Sequence, residues 1–237
     1  MRVRTKRERI RRGMALGLSR RHAEILSTLT TPEAIQDFIN DIPMNFEIGG
    51  ITALSVAETL KQRRAHCIEG AMVAACAFHM IGELPLLMDM GAAEGDVDHV
   101  IALFKRGAYW GAVSKSNGAY LRFRDPLFRN LRELALTYFF EYTKARKKTL
   151  RTYSVPVDMR KIDPKLWVTN AKFCEEIVEI LTEAKHFDLV PRGQEKRLRP
   201  IDVIERDAFN LDDYPNPRKK KKRAKKKATA ARSRSAR

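Results

Sequence analysis

The sequence is poor in cysteine and has no long hydrophobic run. Three cysteines in 237 residues are too few, and odd in number, for a disulfide framework. The most apolar stretch, residues 71–90, is broken by charged residues and a proline, whereas a membrane helix needs about 18 uninterrupted apolar residues. The first residues contain no apolar segment of signal-peptide length. We therefore expect an intracellular, cytoplasmic protein with reduced thiols and no membrane span.

The sequence also lacks a glycine-rich phosphate-binding loop and an internal repeat. Cys76 and His79 have a spacing that can place two metal ligands on one helix face, but no second pair of ligands accompanies them. Because the segment around them is apolar, we interpret both residues as part of the core. We expect no metal and no other cofactor.

Positive charge is abundant, but it is concentrated at the two ends of the chain. The formal net charge is +17. Residues 218–237 contain 12 Lys and Arg and no acidic residue, and residues 1–12 contain 7 basic residues and one acidic residue. Of the 46 basic and 29 acidic residues, 27 and 28 remain between these ends. The body of the chain is therefore nearly neutral.

This distribution predicts three regions: a basic N-terminal arm at residues 1–18, a folded domain at residues 19–213 and a disordered Lys/Arg-rich tail at residues 214–237. The tail is suited to non-specific contact with nucleic acid or another polyanion, with an affinity that falls as the salt concentration rises. A solubilising or localisation role is the alternative. The candidate nucleic-acid contacts are Lys219, Lys220, Lys221, Lys222, Arg223, Lys225, Lys226 and Lys227.

Patterns in the middle of the chain predict a helix packed on a sheet. Residues 67–81 carry small apolar residues on all sides, which is typical of a buried helix. No Gly or Pro separates residues 63 and 69, so the sequence does not define where the preceding helix ends. Residues 85–90 predict a buried strand, and residues 97–118 predict an antiparallel hairpin.

The hairpin brings polar residues close to His99. A turn centred on Arg106 and Gly107 puts Ser114 opposite His99, and a loop two residues longer puts Ser116 there. In either register a hydroxyl group is carried close to the imidazole.

Cys67 and His99 are the candidate catalytic pair. A thiol becomes a good nucleophile as the thiolate, which a helix N-terminus, an imidazolium and basic neighbours such as Arg63 and Arg64 favour. A histidine within hydrogen-bond reach can act as the base, and a third polar group then holds its tautomer. The alternative is that both are ordinary core residues. We expect His66 to be a solvent-side neighbour, because adjacent helical residues do not face each other.

The segments HCIEGAMVAACAFHMIG and VDHVIALFKRGAYWGAVSKSNG together resemble the core of the transglutaminase-like superfamily, whose fold is related to that of papain. In that superfamily a cysteine begins a central helix, a histidine follows on a strand, and an acidic residue follows on the next strand after a tryptophan. The spacing here is similar, with 32 residues from Cys67 to His99 and 15 from His99 to Ser114. The resemblance covers roughly residues 30–145.

The resemblance implies that Cys67 is the nucleophile and His99 the general base. The position that usually holds aspartate is Ser114, whose hydroxyl can orient an imidazole but does not stabilise an imidazolium as a carboxylate does. Asn117 is the alternative orienting residue, as asparagine is in papain-like peptidases. Asp98 is a poor candidate, because neighbouring strand residues point to opposite faces.

Two further residues have weaker candidate roles. An oxyanion hole requires preorganised donors, and the Cys67 backbone amide is the natural first one. Gln62, five residues upstream, is the candidate second donor. Trp110 is a candidate substrate contact that covers the site.

We therefore expect an α+β fold in which a central Cys-bearing helix packs on a short antiparallel sheet, with additional helices. The expected function is thiol-dependent acyl chemistry on an amide, by a peptidase, an amidase or an acyl transferase. The alternative is a non-catalytic transglutaminase-like binding module that the basic tails recruit to nucleic acid. An exposed, thiolate-like Cys67 beside His99 favours the enzyme, whereas a Cys67 sealed by core side chains favours the binding module.

Overall fold

The computed structural model describes residue 3 and residues 5–217. The α-helices, numbered along the chain, are α1 Lys6–Ala15, α2 Arg20–Leu26, α3 Pro32–Asn40, α4 Val56–Gln62, α5 Cys67–Ile81, α6 Leu131–Phe139, α7 Pro164–Trp167, α8 Glu175–Glu183 and α9 Val203–Ala208. The strands are β1 Leu86–Met90, β2 His99–Arg106, β3 Tyr109–Val113, β4 Arg124–Phe128, β5 Thr143–Lys144, β6 Lys147–Lys148, β7 Thr152–Ser154, β8 Val157–Asp158 and β9 His186–Asp188. Short 3₁₀ helices span Met159–Lys161 and Glu195–Arg197.

The fold is α+β, as the sequence predicts. Five strands form an antiparallel sheet in the order β4-β3-β2-β1-β8. Two small antiparallel pairs, β5 with β6 and β7 with β9, lie outside it. The buried strand predicted at residues 85–90 is β1, and the predicted hairpin is β2 with β3. The central strand of the sheet is therefore the one that begins at His99.

Alternate residues of β2 pack on opposite faces of the sheet. Val100, Ala102 and Phe104 belong to the core that includes α5, while Ile101 and Leu103 belong to a second core that includes α6. Successive side chains of a strand point to opposite faces of the sheet. Apolar residues at consecutive positions therefore require a packed layer of protein on each face. This sandwich holds β2 between two cores.

The start of α5 is tied to the segment after β3 through a close contact at Gly70. A Cβ atom at Gly70 would lie 2.7 Å from the Cβ atom of Lys115. The absence of a side chain there lets the Lys115 stem cross α5, and its ammonium group donates to the carbonyls of Ile39 and Ile42 near the end of α3. Burial lowers the pKa of Lys115 to about 8. The ammonium thus caps a helix C-terminus from inside the protein.

The N-terminal arm predicted at residues 1–18 is partly folded. Residues 6–15 of it form α1, which packs on α2 and α5. The buried side chain of Arg9 donates to Ser27 O at 2.7 Å. This basic segment is therefore part of the folded domain, because the Arg9 guanidinium bonds a backbone carbonyl and α1 packs on α2 and α5.

The folded part also extends past residue 213, where the tail was predicted to begin. The hydroxyl of Tyr214 donates to Asn40 O at 2.8 Å. Residues 218–237, which contain the candidate nucleic-acid contacts from Lys219 to Lys227, lie outside the described residues. Within the part of the chain that the structure describes, none of the helices combines the length and apolar character needed to cross a bilayer.

Candidate active site

Cys67 is the first residue of α5. The N-cap residue His66 has an extended backbone, with φ −107° and ψ −165°, and its amide donates to Glu69 Oε2 at 2.9 Å. The first amides of a helix have no intrahelical acceptor, and the helix dipole favours negative charge there. Cys67 is half-buried, whereas Cys76 and Cys174 are buried. The accessible thiol therefore lies at the position that best supports a thiolate.

A chain of hydrogen bonds fixes the tautomer of His99. His99 Nε2 lies 2.8 Å from Ser114 Oγ, and Ser114 Oγ donates to Leu121 O at 2.6 Å. A hydroxyl has one proton and a carbonyl oxygen can only accept, so Ser114 must accept from the Nε2–H group of His99. Nδ1 is then the ring nitrogen with a lone pair, and it is the one left for Cys67.

The carbonyl that receives the Ser114 proton is itself held firmly. Leu121 has a left-handed backbone, with φ 54°, and its amide donates to Glu141 Oε2 at 2.8 Å. The same carboxylate accepts a hydrogen bond from Arg124 Nη2 at 2.6 Å. Left-handed conformations of non-glycine residues persist only where the surroundings fix them. A chain of hydrogen bonds therefore connects His99, through Ser114 and Leu121, to the ion pair of Glu141 with Arg124, and this chain fixes the orientation of the imidazole.

The hairpin register differs from the first alternative predicted from the sequence. Arg106 pairs with Tyr109 and Ala102 pairs with Val113, so the turn is centred one residue later, as in the longer loop. The described ladder of the two strands ends at Ala102 and Val113, before the position at which Ser116 would face the histidine. Ser114 instead reaches His99 diagonally, which two residues on one sheet face can do.

His66 is a second imidazole at the thiol, and the prediction that it faces solvent is wrong. His66 Nδ1 lies 3.8 Å from Cys67 Sγ, and Nε2 lies 2.8 Å from Thr52 O. The Nε2 atom is also 3.6 Å from Glu47 Oε1 and 3.5 Å from Glu69 Oε1. Burial by itself lowers the pKa of His66, but the hydrogen bond to Cys67 and the charges of Cys67 and Glu69 raise it to about 9.

Glu69 organises this side of the site. Its buried carboxylate accepts hydrogen bonds from Asn45 Nδ2 at 3.0 Å, Thr52 Oγ1 at 2.9 Å and the Leu54 amide at 3.0 Å, in addition to the His66 amide. A buried carboxylate with this many donors is satisfied as an anion. It joins the segment around residues 45–54 to the first turn of α5.

The two histidines together determine the ionisation of Cys67. Burial alone raises the pKa of a thiol, but hydrogen bonding to His66 and His99, and the positive charge that these imidazoles can carry, hold the pKa of Cys67 well below its usual value. Burial raises the pKa of Cys76 to about 12, and burial with nearby carboxylates raises that of Cys174 to about 12. The three cysteines are therefore sharply different in their readiness to ionise.

Two aspartates lie near the thiol but do not orient His99. The Asp98 carboxylate accepts from the Ala92 amide at 2.7 Å, so it is turned away from the imidazole, as strand geometry predicts. Asp89 is buried, and its Oδ2 atom lies 3.2 Å from His186 Nε2. Burial and the charge of Asp98 raise the pKa of Asp89 to about 6. Both aspartates line the same cavity as Cys67.

Cys67 opens into a cavity of about 700 Å³, a volume that suits a small ligand or part of a peptide. Apolar side chains, among them Phe46 and Phe173, line it together with His66 and His99. The ring of Tyr142 lies edge-on to His99, with centroids 6.4 Å apart. A substrate amide can therefore reach the thiol while both imidazoles remain at its side.

Three other candidate residues are not brought to the histidine. Gln62 is exposed at the end of α4, where its amide donates to Glu58 Oε2 at 2.9 Å. Trp110 lies at the turn end of β3, with Lys105 Nζ 4.1 Å from its ring centroid, so it does not cover the site. Asn117 borders the cavity, but both ends of its amide bond the backbone of Tyr214 at 3.0 Å. The side-chain amides of Gln62 and Asn117 are therefore bonded to Glu58 and to the backbone of Tyr214.

The sequence interpretation missed His66 and Glu69. The rule that adjacent helical residues do not face each other does not apply to His66, because an N-cap residue has a non-helical backbone. The signal was present in the spacing, since a polar residue followed three positions later by glutamate is the pattern of a capping box. That pattern places the helix start, and hence the histidine ring, next to Cys67.

Comparison with family models and with curated proteins found no match to this chain. The functional assignment therefore depends on the geometry of the site.

Proposed function

We propose that this chain is a transglutaminase-like cysteine enzyme that carries out thiol-dependent acyl chemistry on an amide substrate. The observation that carries the proposal is an accessible thiol at a helix start, 3.8 Å from His66 Nδ1, whose pKa His66 and His99 hold well below the usual value. Strongly perturbed thiols of this kind cluster at functional sites. A helix that bears the cysteine and packs against the strand bearing the histidine is also consistent with the resemblance in sequence.

The chemistry follows from the positions of the groups. Cys67 Sγ attacks the amide carbonyl carbon, and the carbonyl π electrons move to the oxygen, which the Cys67 amide is placed to stabilise. The C–N bond breaks as the leaving amine takes a proton from an imidazolium, and a thioester remains on Cys67. Water or a second amine then attacks the thioester and gives its proton to Nδ1 of His99, and the thiolate leaves. Hydrolysis and acyl transfer differ only in this acceptor.

The alternative function, a non-catalytic binding module, requires Cys67 to be sealed by core side chains. Cys67 is half-buried and borders the cavity, while Cys76 and Cys174 are the sealed cysteines. This contrast favours the enzyme. The serine at position 114 also supports it, because the hydroxyl holds the tautomer of His99 that a base requires.

Acyl-enzyme formation tests the proposal directly. The full chain is incubated with p-nitrophenyl acetate near pH 6.5, nitrophenol release is followed, and the acetyl group is located by peptide mass spectrometry. We expect a rapid burst with the acetyl group on the Cys67 peptide and loss of the burst in Cys67→Ala. The matched control Cys76→Ala removes a buried thiol and should retain the burst. Acetylation that does not depend on Cys67, or none at all, would overturn the proposal.

A further inference from the structure

Two imidazoles act on the thiol of Cys67, and their surroundings are different. In both rings Nε2 carries the proton, because Thr52 O can only accept from His66 and Ser114 can only accept from His99. Nδ1 of His66 therefore faces Cys67 Sγ, at 3.8 Å, and Nδ1 of His99 is likewise the nitrogen left for the thiol. The two rings are equivalent in tautomer, so their environments decide which one carries positive charge.

The environment of His66 favours a positive charge, and that of His99 does not. Beyond the carbonyl of Thr52, the Nε2–H edge of His66 faces the carboxylates of Glu47 and Glu69 at 3.6 and 3.5 Å. Glu69 is completely buried, so its charge is poorly screened by water. Among the described residues, the Nε2–H edge of His99 meets a neutral hydroxyl, that of Ser114. An imidazolium gains from nearby carboxylates and gains much less from a hydroxyl.

We infer that His66, and not His99, holds the positive charge of the resting thiolate ion pair. In a simple Cys-His pair one histidine is both the imidazolium partner and the base, whereas here two histidines divide these roles. This inference rests on the proposed function. His66 is then a catalytic residue in contact with the reacting sulfur. His99 then has the lone pair of Nδ1 available as the base for the acyl acceptor.

The proton balance of the reaction closes under this division. His66 gives its Nδ1 proton to the leaving amine when the C–N bond breaks. The attacking water or amine gives a proton to Nδ1 of His99 when the thioester is cleaved. Cys67 Sγ, on whose ionisation both rings act, then accepts the proton from His99 and passes it to His66. Each turnover therefore returns the site to thiolate, His66 imidazolium and neutral His99.

Thiol alkylation separates the two histidines without a substrate. Iodoacetamide labelling of Cys67 is measured against pH by peptide mass spectrometry, with Cys76 and Cys174 as internal references. An ordinary thiol has a pKa of about 8.5 and is only about 1% thiolate at pH 6.5, and lower-pKa thiolates are intrinsically less nucleophilic. We therefore expect His66→Gln to slow labelling about tenfold at pH 6.5 and to restore it at alkaline pH. His99→Gln should keep the rate within about threefold.

Glutamine is chosen because its amide can retain the hydrogen bond to Thr52 O. The matched control is His79→Gln, which removes an imidazole from the other end of α5 and should leave the profile unchanged. Glu47→Gln provides a second route if His66→Gln does not fold: it removes one carboxylate from His66 and should slow labelling at pH 6.5 about twofold to threefold. Thermal unfolding of each variant establishes that it is folded.

The outcomes distinguish this inference from the proposed function. Low-pH labelling of the wild-type Cys67 that is lost in His66→Gln and kept in His99→Gln supports the division of roles. Low-pH labelling that is lost in His99→Gln, or equally in both variants, overturns the division while the proposed function stands. A wild-type Cys67 that labels no faster than an ordinary thiol at pH 6.5 overturns the proposed function itself.

Discussion

The contact between Ser114 and His99 leads to a quantitative prediction about Ser114→Ala. The substitution removes one oxygen atom that accepts from His99 Nε2 at 2.8 Å and donates to Leu121 O at 2.6 Å. Both partners are buried, with His99 6% and Leu121 8% exposed, so solvent reaches them poorly. The substitution leaves little new space, because alanine differs from serine only by the hydroxyl. The cost therefore comes from the two polar groups that lose their partner.

Leaving one buried donor or acceptor without a partner costs about 1–3 kcal/mol, so we expect Ser114→Ala to lower the free energy of unfolding by about 2–4 kcal/mol. The loss of one hydrogen bond, worth about 1.4 kcal/mol, should also reduce the ratio of the Nε2–H to the Nδ1–H tautomer of His99 about tenfold. Urea unfolding measures the first effect. The ¹⁵N chemical shifts of the labelled imidazole measure the second.

Ser116→Ala is the matched control. Ser116 is also buried, and its hydroxyl accepts from the Gly118 amide at 3.1 Å without contacting His99. We expect it to cost about 1 kcal/mol and to leave the His99 tautomer unchanged. If Ser114→Ala is as stable as Ser116→Ala and the tautomer ratio does not move, then Ser114 does not hold the imidazole and the reasoning fails.

Three further predictions concern stability and the tail. Burial and Asp98 raise the pKa of Asp89 from 3.8 to about 6, so between these two pH values the folded state binds more protons than the unfolded state. The free energy of unfolding should therefore fall by about 3 kcal/mol as the pH rises from about 4 to about 6. In urea unfolding, Asp89→Asn should remove this fall. Gly70→Ala should cost about 1–3 kcal/mol in the same assay, since its Cβ atom would overlap Lys115; an unchanged stability contradicts the close contact. Fluorescence anisotropy with a single-stranded oligonucleotide should show salt-sensitive binding by the full chain that is lost when residues 218–237 are removed; equal binding by both chains contradicts a role of the tail.

Local patterns in the sequence were sufficient to predict the central elements of the fold. Residues 67–81 form α5 as predicted, because small apolar residues on every face suit only a helix surrounded by neighbours. The end of α4 was not defined, since the residue that ends it is Arg63 in a left-handed conformation with φ 50°, a role usually taken by glycine. The backbone there is fixed by tertiary context, which residue type alone does not reveal.

The candidate site was predicted in part, and the errors have physical causes. The pairing of His99 with Ser114 depended on which face of the sheet each residue occupies, and alternation along a strand keeps that face when the register shifts by two residues, as it does here. Trp110 was a candidate to cover the site, yet it lies four residues before Ser114, about 13 Å along a strand. Spacing within a strand therefore excludes it from the site, and that argument was accessible from the sequence.

Ser114 stands at the position where the resemblance to the transglutaminase-like superfamily would lead one to expect an aspartate, and its surroundings explain why a hydroxyl fits. The group at this position must face Leu121 O at 2.6 Å, and a carboxylate would present one acceptor to another there, at the cost of a buried unpaired oxygen. The negative charge that an imidazolium needs is supplied elsewhere, by Glu47 and Glu69 at the edge of His66. If the imidazolium lies on His66, as we propose, His99 needs only an acceptor for its Nε2–H group, and a serine at position 114 is the expected consequence.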